Sequence, residues 1–272
     1  TDFDECQTIV KSLFADRDFA DRVSLSGVNS INWARIAAQM VYYATSQAAL
    51  AGQQIRFIVP SGNMGDALAG YVAARCGLLP GGLDIVCAVN ENDSLLHLFN
   101  SGVMSKRQTV ATPSPAMDIS IPSNFERILF ELSDRDSDAV RGVYERFKQA
   151  GEADLPETAK GRMGCAGIRV QSVSNADTME EMRQFEAETG WLICPHTAVG
   201  TRVARLSPAP DVATVVLATA SPAKFPETVL EATGREARLP DFATGVMTNA
   251  EVFERAEPTL GAVRARVEQL AE

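Results

Sequence analysis

Ile55-Arg56-Phe57-Ile58-Val59-Pro60, then Ser61-Gly62-Asn63-Met64-Gly65-Asp66, then Ala67-Leu68-Ala69-Gly70-Tyr71-Val72-Ala73-Ala74-Arg75 is the passage that decides how this chain folds. The first six residues form a short apolar run, the next six a glycine-bearing turn, and the last nine a proline-free stretch rich in Ala. A buried strand followed at once by a loop and a helix is half of a parallel βαβ unit. Such units build a sheet with helices on both faces. Working outward, Asp84–Val89 reads as a second buried strand, Asn90-Glu91-Asn92 as the turn at its carboxyl end, and Asp93–Phe99 as a helix. Ligands of doubly wound folds gather at such strand ends. Toward the amino terminus, residues 4–14 carry apolar positions at helical spacing and an acidic loop follows. Val23-Ser24-Leu25 is strand-like, and Ser30 is the expected N-cap of a helix running to about Leu50.

Toward the carboxyl terminus, residues 101–115 shift to Ser, Thr and Pro and read as a long surface or functional loop. Helices are expected over Ser123–Leu132 and Asp136–Gln149, then a polar, glycine-rich stretch over 161–167, then a helix near Thr178–Thr189. His196 reads as a helix-start residue with Thr197 as its N-cap. Val212–Ala218 is a last buried strand, ending in Thr219-Ala220-Ser221-Pro222, and the final 40 residues read as loop plus a terminal helix. The fold class is therefore α/β, a mostly parallel twisted sheet with helices on both faces.

Composition narrows the function classes. The 272 residues are 46% hydrophobic and 22% charged, a globular balance. With 35 acidic against 25 basic residues the net charge is −10, so a nucleic-acid backbone would meet a repelling field. Even the apolar run Ile36–Leu50 is broken by Gln39, Thr45, Ser46 and Gln47, so no membrane helix is expected. Thr1-Asp2-Phe3-Asp4 has neither a basic nor an apolar leader region, and the five cysteines form no Cys-x-x-Cys pair. A cytoplasmic location is the expectation. His97 and His196 are too few for a metal site, and no Gly-x-Ser-x-Gly elbow occurs.

The turn Ser61–Asp66 admits two readings. Gly62 and Gly65 let backbone N–H groups converge on an anion at a helix N-terminus, which makes a phosphate cradle; a plain tight strand-to-helix turn needs the same residues. The spacing matches neither a P-loop nor a dinucleotide fingerprint. Asp66 would repel a phosphate unless its carboxylate turned away. Asn29-Ser30-Ile31-Asn32-Trp33-Ala34-Arg35 places a hydroxyl, two amides and a guanidinium around a helix start. Ser30 and Arg35 can converge on a small anion, or the segment is an N-cap followed by a surface arginine.

Five segments in register carry a resemblance across nearly the whole chain: Val28–Arg35, Val59–Asp66, Ser114–Arg127, Pro195–Gly200 and Ala218–Pro226. Together the chain resembles the threonine synthase family of the long bacterial and fungal type, in the tryptophan-synthase-β-like (fold type II) class of pyridoxal-phosphate enzymes. The resemblance implies conversion of O-phospho-L-homoserine and water to L-threonine and phosphate. It implies pyridoxal 5'-phosphate as cofactor, with its phosphate on Ser61, Gly62, Asn63, Met64, Gly65 and Asp66 and its pyridine nitrogen on Thr219. It further implies that Ser30, Asn32 and Arg35 receive the substrate phosphate. The family's Schiff-base lysine lies in a His-Gly-Pro-Thr-type segment that is not found here; the lysines present are 11, 106, 148, 160 and 224. The expectation is thus a carboxyl-terminal portion of such an enzyme, with an incomplete fold, inactive alone and partnered by an amino-terminal segment of the same enzyme. Residues 1–29 would end the small domain, and 30–272 would form the large domain with an acidic helical insertion near 122–165. Exposed apolar surface is expected near Val23–Leu25 and on the helix after Ser30. The alternative is a lysine-less, non-catalytic phosphate- or cofactor-binding domain.

Overall fold

The computed structural model describes residues 3–27, 30–50 and 53–271. Contacts divide the chain into two compact units, Thr1–Val28 with Pro240–Glu272, and Asn29–Leu239. Residues 240–272 thus group with 1–28, whereas the sequence reading grouped them with 30–239. The expected end of the small domain at 29 and the motif residues Val28-Asn29 lie outside the described residues.

In the larger unit four parallel strands, β1 (Ile55–Pro60), β2 (Ile85–Val89), β5 (Ile168–Ser172) and β6 (Ala213–Val216), lie in the order β5-β2-β1-β6. A separate antiparallel pair joins β3 (Val103–Ser105) to β4 (Glu152–Asp154), with Met104 opposite Ala153. The helices are α3 (Trp33–Ala49), α4 (Gly65–Arg75), α5 (Ser94–Ser101), α6 (Phe125–Leu132), α7 (Ser137–Ala150), α8 (Glu157–Met163), α9 (Asn175–Thr189), α10 (Pro195–Leu206) and α11 (Pro226–Thr233).

Side-chain alternation along the strands separates two faces. Phe57 stands opposite Ile85, and with Ile55, Val59, Cys87 and Val89 it packs against Ile36 and Tyr43 of α3 and Ala67, Leu68 and Ala73 of α4. Ile58, Val86 and Ala88 face the other way, onto Val199 and Val203 of α10. A strand buried on both faces loses the polar half of its alternation, which is why β1 and β2 read as continuous apolar runs. α4 approaches α3 closely because Gly70 has no side chain: a Cβ there would lie 2.5 Å from Tyr43 Cε1. Residues 122–165 extend this core, with Phe125, Ile128, Leu129, Leu132, Val143, Ala153 and Ala159 all buried in it.

The α/β class and the parallel sheet agree with the sequence reading; several elements do not. Val23-Ser24-Leu25 is a turn, with Leu25 N donating to Ala20 O at 2.8 Å, and the expected acidic loop before it is helix α2 (Arg17–Arg22). Asp16 caps that helix by accepting from Phe19 N at 3.0 Å, so the acidic composition reflects a cap rather than a loop. The N-cap of α3 is Asn32, not Ser30, and that of α10 is Cys194, not Thr197. β5 was not foreseen, because Arg169 and Gln171 on this edge strand break the apolar pattern. Nor were α8, β3 and β4, all of them short.

In the smaller unit α1 (Phe3–Ala15), α2 and α12 (Leu260–Ala271) bury Leu13, Phe19 and Ala20. The Arg264 guanidinium lies 4.4 Å from the Phe19 ring centroid and donates to Asp16 Oδ2 at 2.6 Å. No helix among the described residues is long and apolar enough to cross a membrane. Trp33, Val41 and Tyr42 on α3 are exposed, whereas Val23 and Leu25 are half-buried.

Candidate functional site

The parallel sheet delivers the carboxyl ends of β1, β2 and β6 to one edge. Ser61 follows β1, Asn90 follows β2, and Thr219 stands three residues past β6. Ser61 N donates to Ala88 O at 2.8 Å, extending the ladder one residue before the chain turns. Met64 then adopts the left-handed conformation at φ 56° and ψ 18°, and α4 begins without a side-chain cap. An uncapped N-terminus leaves backbone N–H groups and a positive partial charge facing the loop.

The loop is fitted to its surroundings at Gly62. A Cβ there would lie 2.8 Å from Ala116 O and 3.1 Å from Met117 Cα, so no larger residue fits beneath that turn. The Ser61 hydroxyl oxygen is buried and has no hydrogen-bond partner of good geometry among the described residues, though the hydroxyl opposes the effect of burial on the Cys87 thiol. One carboxylate oxygen of Asp66, Oδ1, is likewise buried without a partner among the described residues. Burial pushes the Asp66 carboxyl up to about 6, against a smaller opposing contribution from the Tyr43 hydroxyl. Buried polar atoms left open cost stability and mark places where a ligand completes the bonding.

Asn63 links this loop to the segment around Ser30. Its side-chain oxygen accepts from Ser123 N at 3.0 Å, and its carbonyl accepts from Asn124 N at 3.1 Å. The Asn124 side-chain amide donates both to Asn63 O at 3.1 Å and to Ser30 O at 3.0 Å. Arg127 donates to Asn124 Oδ1 and to Ile31 O, each at 2.7 Å, and Ser30 Oγ is 3.4 Å from Ser123 Oγ. One amide therefore joins the expected cofactor loop to the expected substrate segment. Asn32 uses its side-chain oxygen to cap α3, accepting from Ala34 N at 2.8 Å, while Arg35 is exposed on the first turn of that helix. Thr219 is exposed, three residues beyond the strand beside β1, near where Leu217 N donates to Ile58 O at 3.0 Å.

Asn90, Asn92, Thr112, Asp118 and His196 complete the edge, and none of them carried a role in the sequence reading. Asp118 accepts from the side-chain amides of Asn90 and Asn92 at 2.8 Å each, and from Thr112 Oγ1 at 2.6 Å. That carboxylate fastens the 106–118 segment, most of which the sequence reading placed in a Ser/Thr/Pro loop over 101–115. The forewarnings were the Asn-Glu-Asn turn at the end of β2 and the segments Ser114–Arg127 and Pro195–Gly200 of the resemblance, which contain Asp118 and His196. His196 accepts from Ala116 N at 3.2 Å, and no group of three metal-ligating side chains occurs among the described residues. An uncapped helix start, an open serine hydroxyl and a glycine floor fit a phosphate monoester.

Comparison with known proteins follows the same lines. Residues 197–267 match the family described as "Threonine synthase, C-terminal". The threonine synthase of Pseudomonas aeruginosa is 41% identical over 229 residues, which are 83% of this chain and 48% of that protein. The crystal structure of pyridoxal-phosphate-bound threonine synthase from Brucella melitensis superposes at a TM-score of 0.86 and 40% identity, over 100% of this chain and 58% of that one. Yeast threonine synthase superposes at 0.80 and 31% identity, over 100% and 58%. The chain spans about half the length of the curated relatives it matches, 48% to 56% of the first three. The chain thus carries a threonine synthase C-terminal domain, and by sequence and fold it is similar along nearly its whole length to threonine synthases, as a carboxyl-terminal portion of such a protein would be.

Proposed function

We propose that this chain provides the cofactor-phosphate cradle and the substrate-phosphate receptor of a threonine synthase, an enzyme converting O-phospho-L-homoserine and water to L-threonine and phosphate. The observation that carries the reading is the Asn124 amide, which bonds the Asn63 and Ser30 carbonyls together and so sets the two anion sites side by side. Pyridoxal 5'-phosphate, when bound, supplies the electron sink that makes carbon–hydrogen bonds next to the amino group acidic. In this chain Ser61 offers its open hydroxyl, Gly62 lets the backbone approach, and the uncapped start of α4 supplies N–H donors to the cofactor phosphate, with Asn63, Met64, Gly65 and Asp66 shaping the turn. Thr219 offers a hydroxyl to the pyridine nitrogen; a neutral partner leaves that nitrogen largely unprotonated. Ser30, Asn32 and Arg35 receive the substrate phosphate and hold it as it leaves.

In this reading the body from residue 30 is the large, cofactor-binding domain, with residues 122–165 an insertion in it, and residues up to 29 end the small domain. The Schiff-base lysine comes from residues outside the 272, so the chain by itself does not turn over. The protein works in the cytoplasm.

Titration of the purified chain with pyridoxal phosphate, borohydride reduction and peptide mass mapping tests this. Reversible uptake, competed by inorganic phosphate and leaving no specific lysine adduct, is the expected result. Stoichiometric labelling of one lysine such as Lys224 would overturn the claim that the lysine lies elsewhere. No uptake at all would overturn the cradle. Uptake that persists unchanged, without turnover, when the lysine-bearing half of a family member is added would favour a non-catalytic binding domain.

A further inference from the structure

His196 is 4% exposed at the second residue of α10. Its Nε2 accepts from Ala116 N at 3.2 Å, which places the ring proton on Nδ1. Ala116 belongs to the short turn Pro115–Met117, and its carbonyl is the atom that limits the space above Gly62. On its other side the imidazole packs against Phe225, ring centroids 4.7 Å apart and tilted 45°. Phe225 follows the turn Pro222–Lys224, which continues from Thr219. One side chain thus touches both the roof of the phosphate loop and the segment that carries the expected pyridine-nitrogen partner.

The neighbouring polar groups of α10 are engaged elsewhere. Thr197 Oγ1 lies 3.2 Å from Cys194 Sγ, and Thr197 N donates to the same sulfur at 3.4 Å. The charged groups acting on the imidazole are Lys224, from the turn after β6, and Asp118, from the turn after Met117. Burial, reinforced by Lys224 and opposed by Asp118, holds His196 down at about 4. It is therefore neutral at physiological pH, and only the neutral ring has a lone pair to accept with. Nδ1 is buried and has no partner among the described residues, a cost that a ring chosen for packing alone would avoid.

We propose that His196 is a positioning residue: its Nε2 holds the Ala116 turn down on Gly62 while its ring anchors the 222–225 turn, setting the separation between the phosphate cradle and Thr219. The functional meaning of this separation rests on the cofactor reading above, but the clamp itself is a property of the ligand-free chain. It is therefore tested without ligand, by amide hydrogen exchange on the whole 272-residue chain.

His196→Phe keeps a ring against Phe225 and removes the acceptor; His196→Gln retains an oxygen able to accept from Ala116 N. The expected result is exchange about tenfold faster or more in peptides covering 61–66 and 114–118 of the Phe variant, with β1 and β2 as protected as in the parent, and return to within about threefold in the Gln variant. Equal protection in all three proteins, or a Gln variant as loose as the Phe variant, would overturn the positioning role. Should the Phe variant lose protection across β1 and β2 as well, His196→Leu is read in its place, and a Gln variant loosened at 61–66 still counts against the clamp. Pyridoxal phosphate affinity, measured in parallel, is expected to fall about tenfold in the Phe variant and to stay within about threefold in the Gln variant. If the parent chain takes up no pyridoxal phosphate while the exchange pattern holds, the cofactor reading fails and the clamp stands.

Discussion

Asp66 is the residue at which the proposed site works against the stability of its own fold. It sits in the first turn of α4, where a carboxylate suits the helix dipole, yet it is half-buried, and its buried Oδ1 has no hydrogen-bond partner among the described residues. The groups facing it are Tyr43 from α3, whose hydroxyl donates to the Asp66 carbonyl at 2.8 Å, and Cys87 from β2, whose thiol burial pushes up to about 12. Neither carries a compensating positive charge. The folded carboxyl is raised to about 6 from 3.8, so the native state holds a proton that the unfolded chain releases between those values. Its stabilising contribution is present below 3.8 and lost as pH rises through about 6. Asp66→Asn is thus expected to be more stable than the parent at pH 8 by about 1–3 kcal/mol, with the gap closing as pH falls toward 4. Thermal melts across that range check it, and a gap independent of pH would reject the account. His196 has the opposite sign: its contribution is present above 6.5 and lost as pH falls through about 4.

At the scale of elements, the start of α3 decides how the substrate segment is built. The sequence reading took Ser30 as the cap of this helix. Tertiary contacts choose Asn32, because Ser30 is drawn toward α6, its carbonyl held by Asn124 and its hydroxyl 3.4 Å from Ser123 Oγ. Asn32→Ala is expected to cost about 1 kcal/mol in denaturant unfolding, and Ser30→Ala less than about 0.5 kcal/mol. The reverse order would restore Ser30 as the cap. The strap 106–118 follows the same logic. Its Ser, Thr and Pro content announces a loop, but its order comes from Asp118, whose donors Asn90 and Asn92 lie more than 25 residues upstream. No local pattern encodes such a pairing.

At the scale of the molecule, the two compact units differ in what they bury. The larger contains the sheet and its two faces, whereas the buried apolar side chains of the smaller are Leu13, Phe19 and Ala20 among the described residues. Local opening free energies follow buried apolar area, so amides of α1, α2 and α12 are expected to exchange well before those of β1 and β2. Uniform protection across both units would contradict this. The sequence by itself determined the α/β class, β1, β2 and the glycine turn between β1 and α4. Strands buried on both faces must be apolar throughout, and a tight turn before an uncapped helix needs glycine. The five motifs in register carried the family resemblance as well. The edge strand β5, the short pair β3 and β4, the capping of α3 and α10, and the joining of Asn63 to Ser30 through Asn124 were decided only by the tertiary structure. All but the capping of α10, a local contact of Cys194 Sγ with Thr197 N, depend on partners far apart in the chain, and a hydrogen bond between distant residues leaves no period, composition or spacing in the sequence.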